Sequence, residues 1–217
     1  MVAFLLSSLA LFSTLTVVST SPALSERSTD TALAGPPGFN ITSLGVNGSG
    51  CPPGSTYYKI SDDKTAVTVT FSSYYAEAGP GISPADNRKN CQLTVGVAVP
   101  SGFTFGIANV DYRGYYQLDK SVTANQKAIY YFQGKVQQST AQSGLVGAID
   151  GKYYTYRDTF DLASTNLAPC GVNSVLNINS DIRVSNANNK AGSGYIATDS
   201  IDTSLSTTFN FQWQTCK

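Results

Sequence analysis

Apolar and polar residues alternate with a period of two along much of the chain after Cys51. Residues 67–71, 93–99 and 103–107 each place an apolar side chain at every second position. This alternation is typical of strands with one buried face. It also predicts later strands over residues 127–132, 153–160, 175–184, 195–201 and 206–215. No window of a dozen residues carries the apolar stripe of a helix, so the sequence predicts an all-β fold, an antiparallel β-sandwich.

Two details refine this pattern. Ile107 and Val110 cannot both face inward on a regular strand, which predicts a bulge near Asn109. In the last strand, the sole tryptophan, Trp213, shares a face with apolar side chains. We therefore expect Trp213 to lie in the core and not to serve as a platform for a ligand.

The N-terminal region predicts export. Residues 2–18 are almost wholly apolar or small, and residues 1–23 are interpreted as a signal peptide with cleavage between positions 19 and 25. A membrane anchor would need about 20 apolar residues, and the run is shorter. Residues 24–49 are rich in Ser, Thr, Pro and Gly and predict a flexible lead-in with glycosylation sequons at Asn40 and Asn47. Residues 50–217 then form a single domain, secreted and extracellular or associated with the cell wall.

The four cysteines predict two disulfides, because exported chains fold in oxidising compartments. Four cysteines allow three connectivities. Pairing Cys51 with Cys91 and Cys170 with Cys216 is favoured because each bridge then clamps one half of the domain. Structural zinc is not expected, since the cysteines lack the close spacing of zinc ligands.

Charge and composition exclude several classes of partner and chemistry. Basic and acidic residues balance at 14 each and make up only 13% of the chain, so neither nucleic acid nor a membrane surface is an expected partner. The chain has no histidine, which removes the commonest proton shuttle and metal ligand. We expect no metal, no cofactor and no catalytic residue.

Ten of the thirteen tyrosines occur as doublets. Neighbouring residues on a strand point to opposite faces, so each doublet would place one ring in the core and one at the surface. A row of exposed rings could stack on sugars, although cross-strand packing is the simpler interpretation. The doublets are Tyr57-Tyr58, Tyr74-Tyr75, Tyr115-Tyr116, Tyr130-Tyr131 and Tyr153-Tyr154.

Carboxylate chemistry has candidates but no distinguished pair. Glycoside hydrolysis needs two acids at a defined separation, and Glu77 is the only glutamate after the lead-in. Calcium ligation by Asp199 and Asp202 with Asp181 lacks any known ligand spacing. The remaining candidate acids are Asp111, Asp119, Asp158 and Asp161.

Several motifs occur together in order: Gly50-Cys51-Pro52, Asn90-Cys91-Gln92-Leu93, Asp111-Tyr112-Arg113-Gly114 and Trp213-Gln214-Thr215-Cys216. Over residues 50–216 the chain resembles the secreted four-cysteine family known as domain of unknown function 4360. Such proteins are common in fungal secretomes. The resemblance implies export, disulfides and a β architecture, and it makes wall association or an effector role in host contact an expectation. It implies no catalytic residues.

The candidate binding residues are Asp111, Tyr112, Arg113, Tyr115 and Tyr116, in which Arg113 would meet a carboxylate or sugar hydroxyls. In the structural alternative, this strand ends at a glycine turn and Asp111 pairs with Arg113. The leading hypothesis is a secreted non-catalytic protein that binds a cell-wall polysaccharide or a host surface component. The alternatives are a host-directed effector or elicitor and an Asp-dependent glycan hydrolase. Oligomeric state stays open.

Overall fold

The computed structural model describes residues 35–160, 166–198 and 206–217. The expected signal peptide and three of the candidate acids, Asp161, Asp199 and Asp202, lie outside these residues. Over the described ranges, no helix is long and apolar enough to cross a membrane.

The described residues form twelve strands and one short 3₁₀ helix, Pro84–Asp86. The all-β prediction is confirmed. The strands are β1 Asn40–Asn47, β2 Thr56–Ile60, β3 Ala66–Phe71, β4 Tyr75–Ala78, β5 Arg88–Ala98, β6 Phe103–Leu118, β7 Thr123–Phe132, β8 Gln138–Val146, β9 Ile149–Thr159, β10 Ser174–Ser185, β11 Gly194–Ala197 and β12 Ser206–Thr215.

The strands form two antiparallel sheets. The first sheet has the order β1-β5-β10-β7-β8, and the second has the order β2-β3-β12-β6-β11-β4. Strand β6 pairs with three strands of the second sheet. Along one edge it pairs first with β12 and then with β11, and along the other edge it pairs with β9 from Asn109 to Leu118. Four strands, β4, β11, β6 and β9, therefore lie side by side at one end of the second sheet.

The core lies between the sheets and is rich in aromatic rings. Phe105 is fully buried and makes edge contacts with Phe39, Phe132 and Phe211 at 5.2–5.9 Å between ring centroids. Trp213 stacks on Phe105 at 5.3 Å and meets Phe39 at 4.1 Å. The prediction that Trp213 packs in the core is confirmed.

The predicted bulge in β6 is present. Asn210 of β12 pairs with Asn109, but the next residue of β12 pairs with Ile107, which leaves Ala108 as the extra residue. The bulge lets Ile107 and Val110 both face inward, and both are buried. A single unpaired residue thus reconciles two apolar phases in one long strand.

Both predicted disulfides form, Cys51–Cys91 and Cys170–Cys216, with Cα–Cα distances of 5.5 and 5.9 Å. Cys91 lies on β5 of the first sheet, and Cys216 follows β12 of the second. Each bridge closes a loop of 40 or 46 residues. In the chain-entropy model such a loop is worth about 4 kcal/mol of stability.

The flexible lead-in expected to extend to residue 49 ends earlier. Strand β1 pairs with β5 along its length, and Phe39, just before it, is 1% exposed. A register shift between Ile41 and Ser43 interrupts the alternation of inward-facing side chains, which hid the strand from a period-two search. Both sequon residues, Asn40 and Asn47, are exposed on this strand.

Candidate binding surface

Four tyrosines form a row across the outer face of the second sheet. Tyr75 lies on β4, Tyr195 on β11, Tyr115 on β6 and Tyr153 on β9. Successive ring centroids are 5.7, 6.2 and 5.3 Å apart. At a strand spacing of about 4.8 Å, the three steps give this tyrosine row a length of about 14 Å.

Strand register builds the row. Ala197 lies directly opposite both Tyr75 and Tyr115, and its small side chain leaves space above the sheet. Tyr195, two residues earlier, meets both rings diagonally. Tyr153 lies directly opposite Tyr115 and ends the row. One tyrosine per strand therefore comes from four separate parts of the chain.

The two ends of the row are its most exposed parts. Tyr153 is 67% exposed and Tyr75 is 37% exposed. Beside Tyr195 lies a groove of about 300 Å³, whose walls include the side chains of Glu77, Gln117 and Asp119. The surface therefore combines aromatic faces with a small number of hydrogen-bonding groups, as many ligand sites do.

The glycine turn expected at Gly114 is absent, because β6 continues through this residue to Leu118. A Cβ at Gly114 would lie 2.3 Å from the carbonyl oxygen of Ala197 and 2.3 Å from the ring of Tyr154. The glycine therefore permits close packing in mid-strand. The prediction that the strand ends there is wrong.

Asp111 and Arg113 both face outward on β6, but they do not pair with each other. Arg157, directly opposite Asp111 on β9, donates from Nε and Nη2 to the two carboxylate oxygens at 2.5 and 2.6 Å. The hydrogen bond and charge of Asp111 raise the pKa of Arg157. Arg113 is exposed two residues before Tyr115, so it stays beside the tyrosine row.

Tyr112 and Tyr116, the other two members of the predicted set, point into the sandwich. Tyr112 is buried and its hydroxyl contacts that of Tyr130 on the first sheet. Burial raises the pKa of Tyr112. Tyr116 packs against the core, and its ring stacks on Tyr154 at 5.4 Å. Tyr112 thus links the two sheets, and Tyr115 alone of the predicted tyrosines lies in the row.

The doublet pattern explains most of this arrangement. Tyr74, Tyr116, Tyr130 and Tyr154 face inward, and the partner of each faces outward. Tyr57 and Tyr58 are the exception, because both lie on the edge strand β2 and are more than half exposed. Tyr195 was missed because it belongs to no doublet; its only signal was its place at the start of a predicted strand.

The inward tyrosines form a polar layer between the sheets. Tyr154 donates to Gln126 of β7 at 3.1 Å, and the hydroxyls of Tyr74 and Ser180 are 2.6 Å apart. Burial raises the pKa of Tyr154 to about 12, so this hydroxyl stays protonated at neutral pH. Buried hydroxyls with partners stabilise a unique alignment of the two sheets.

Asp158 is the described acid whose environment most resembles that of a catalytic carboxyl. Burial raises its pKa, and its Oδ2 has no hydrogen-bond partner among the described residues. It lies opposite Val110 on the inward face, whereas Asp111 faces outward and is bound by Arg157. The two acids therefore do not flank a common cleft, as glycoside hydrolysis requires. Within the described ranges, no group of three His, Cys, Asp or Glu residues could hold a metal ion.

The two sheets, the two disulfides and the tyrosine row define a β-sandwich domain with two disulfides and an aromatic outer face. The chain belongs to the family described as Domain of unknown function (DUF4360), whose profile matches residues 37–216. An uncharacterized secreted protein of Arthroderma benhamiae is 40% identical over 181 residues, which are 83% of this chain and 73% of the relative. The prediction of secretion is confirmed by this relative.

One solved structure, that of TmCBM61 in complex with β-1,4-galactotriose, aligns with 81% of this chain and 90% of its own. The identity is 11% and the TM-score is 0.26. This overlap is too low to establish a shared fold.

Proposed function

We propose that this secreted domain is a non-catalytic module that binds a polysaccharide of the cell wall through the tyrosine row. The observation that carries the proposal is the alignment of Tyr75, Tyr195, Tyr115 and Tyr153 on one outer face. Each ring offers a flat apolar surface with a hydroxyl at its end. A pyranose offers the complementary pattern, an apolar face of C–H groups with hydroxyls around its rim.

A row suits an extended chain better than a single sugar. The rings lie about one strand spacing apart, so consecutive sugar units of a linear polysaccharide meet consecutive tyrosines. Aromatic side chains also lose little conformational entropy on binding, since only two side-chain torsions are fixed. Arg113 and the groove beside Tyr195 supply hydrogen bonds at the margins of the row.

The environment of the acids favours binding over hydrolysis. Asp111 is held by Arg157, and Asp158 faces the interior. Among the described acids, no second carboxylate lies with Asp158 among the inward side chains that surround it. A surface without such a pair can hold a glycan but lacks the acid and base that cleave it.

The test is a pull-down of the purified secreted protein on insoluble chitin, β-glucan, mannan and cellulose, with released reducing sugar measured in the same tubes. The proposal predicts retention on at least one polymer without release of sugar. If the protein releases sugar and the Asp158→Asn variant does not, the domain is a hydrolase and the proposal of a non-catalytic binding module is wrong. Failure to bind any of the four would redirect the search to protein partners, as the effector alternative requires.

We further propose that Asn40 and Asn47 carry N-linked glycans. Both side chains are exposed on β1, at the edge of the first sheet. Glycans there would leave the tyrosine row on the second sheet open. Digestion with an endoglycosidase should lower the mass by two glycans and leave retention on the polymer within about twofold. A large change in retention would place the ligand near β1 instead.

A further inference from the structure

A second groove, of about 370 Å³, lies at one end of the first sheet. Its walls come from the start of β5, the end of β10 and the loop after β10. This groove and the one beside the tyrosine row share no lining residue, although the connection from β4 to β5 contributes to both. The cationic groove, as we call it, is lined by Pro84, Asn87, Arg88, Arg183, Val184, Ser185, Asn186, Ala187 and Lys190.

Positive charges converge on this groove. Arg88 on β5 and Arg183 on β10 are directly opposite in the strand register. Like charges in this position repel and lower stability. Asp181 offers one carboxylate, which accepts a hydrogen bond from Arg88 at 3.1 Å. Arg183 makes no ion pair with any residue that the structure describes, and Lys190 adds a third cation to the lining.

The neighbouring strand increases the imbalance. Lys127 on β7 lies directly opposite Asp181 in the strand register, so a further cation lies next to the acid that binds Arg88. This local excess of positive charge contrasts with the whole chain, in which 14 basic and 14 acidic residues balance. A concave surface that concentrates one sign of charge raises the local concentration of the opposite ion. An anion between Arg88 and Arg183 would also remove their mutual repulsion.

The walls of the groove are held in place by their own hydrogen bonds. Asn87 donates to the carbonyl of Glu77 at 2.9 Å, and Asn186 donates to the carbonyl of Gly192 at 3.2 Å. These amides fix the two sides of the groove, so the guanidinium groups of Arg88 and Arg183 and the ammonium group of Lys190 are the charged donors that can meet a ligand. A guanidinium presents a planar fork that matches carboxylate and phosphate oxygens with two hydrogen bonds.

We propose that the cationic groove binds the carboxylate or phosphate group of an acidic sugar. Its volume exceeds that of a bare ion and falls within the range of sites for small organic ligands. The sugar ring would occupy the groove while its anionic group lies between Arg88 and Arg183. This site lies outside the tyrosine row, and the proposal does not depend on the function assigned to that row.

The first experiment measures binding of four probes by calorimetry at low salt: trigalacturonate, mannose 6-phosphate, inorganic phosphate and the neutral maltotriose. We expect one of the acidic sugars to bind at least about tenfold more tightly than inorganic phosphate, and the acidic sugar that binds identifies the anionic group. Affinity should fall as salt is raised, because the charges are partly exposed. Equal affinity for inorganic phosphate would show a site for a bare anion and overturn the proposal, as would the absence of binding to both acidic sugars.

Variants then locate the site. Arg183→Gln leaves the pair of Arg88 with Asp181 intact and should weaken binding about tenfold, and Arg183→Lys should restore only part of the loss because it keeps the charge without the fork. The matched control is Lys135→Gln, which removes one exposed cation outside the groove. If the control variant loses as much affinity as Arg183→Gln, the loss reflects the net charge of the protein, and the assignment of the site to the cationic groove is wrong. Replacing Tyr115 and Tyr195 by alanine should leave this binding unchanged, which separates the two proposals.

Discussion

The two outer faces of the sandwich differ in chemistry although the same alternation of residues builds both. On the first sheet, short polar side chains bind each other: Asn177 accepts hydrogen bonds from Gln92 and Thr94, each at 3.3 Å. On the second sheet, tyrosine rings contact each other in a row. Around Asn177 the first face satisfies its amide and hydroxyl groups within the protein, while the second face keeps aromatic surface in contact with water.

This difference shows where binding energy is available. Contact between a ligand and the amide-rich face would exchange existing hydrogen bonds for new ones, with little net gain. Contact with the tyrosine row would remove apolar ring surface from water, which is favourable at about 25 cal/mol per Å². The comparison therefore supports the proposal that a neutral polysaccharide binds to the second sheet.

Replacement of a strand glycine by alanine should give the largest difference in stability loss between the two sheets. At Gly114 of the second sheet a Cβ would meet a carbonyl oxygen and a tyrosine ring, neither of which can move freely. At Gly96 of the first sheet it would meet the hydroxyl oxygens of Ser43 and Thr42, at 2.4 and 2.9 Å, which can rotate away. We expect Gly114→Ala to lower the free energy of unfolding by about 3 kcal/mol and Gly96→Ala by about 1 kcal/mol or less.

Urea unfolding of the two variants measures this difference. Gly96→Ala is the matched control, since both positions lie in strand interiors and receive the same methyl group. Equal losses would mean that the second sheet is no more tightly packed at Gly114 than the first sheet is at Gly96.

Removal of tyrosines should break the binding of one face only. Tyr115→Ala combined with Tyr195→Ala removes the centre of the row, and we expect affinity for the retained polysaccharide to fall about 30-fold, which corresponds to about 2 kcal/mol. Tyr131→Ala is the control, because Tyr131 faces outward on the first sheet opposite Asn177. Depletion binding isotherms on the insoluble polymer give both affinities. A comparable loss for Tyr131→Ala would refute the distinction between the faces.

Local patterns predicted the strands that bury a regular apolar face. The bounds of β12, the bulge in β6 and the inward position of Trp213 all follow from side-chain alternation within one segment. Strand β8, Gln138–Val146, was missed because it is an edge strand, and Ala141 is its only buried side chain. Strand β1 was missed because its register shift conceals the alternation.

The binding surface was less accessible to sequence reasoning because it depends on long-range pairing. Tyr115 was found from its motif, but Tyr75, Tyr153 and Tyr195 join it only through the register of four strands. A single sequence does not specify which strands lie side by side. The inward position of Tyr112 and Tyr116 was not predicted for a related reason, since neither the strand's continuation past Gly114 nor the phase after the bulge was known.

The stability of the protein should depend on pH through Asp158, the acid on the inward face of β9. An unfolded aspartate has a pKa of about 3.9, and burial raises the pKa of Asp158 in the folded state. The folded state thus binds this proton more tightly, and stability falls as pH rises from the unfolded pKa through the folded one. Asp158→Asn should remove this loss, raising the melting temperature at pH 7 by up to about 3 °C and leaving it nearly unchanged at pH 3.

Melting curves between pH 3 and pH 8 test this expectation. Asp150→Asn, an exposed position on the same strand, controls for the loss of one negative charge. A stabilisation that is the same at every pH would assign the effect to packing and not to titration. A destabilised Asp158→Asn at pH 7 would mean that the carboxylate form is favoured in the folded protein.

The smallest effect is expected for the ion pair on the outer face of the second sheet. Arg157 binds both oxygens of Asp111, but its side chain is 60% exposed, so water competes for the contact. Exposed pairs contribute 0.2–1 kcal/mol, and a double-mutant cycle of Arg157→Gln with Asp111→Asn should give a coupling of about 0.5 kcal/mol in urea unfolding. Because the pair lies beside the row and not in it, polysaccharide affinity should change by less than twofold. A loss of affinity as large as that of the tyrosine variant would mean that the binding face extends along β6 and β9 to this pair. The contrast between the two sheets would then rest on charge as well as on aromatic surface.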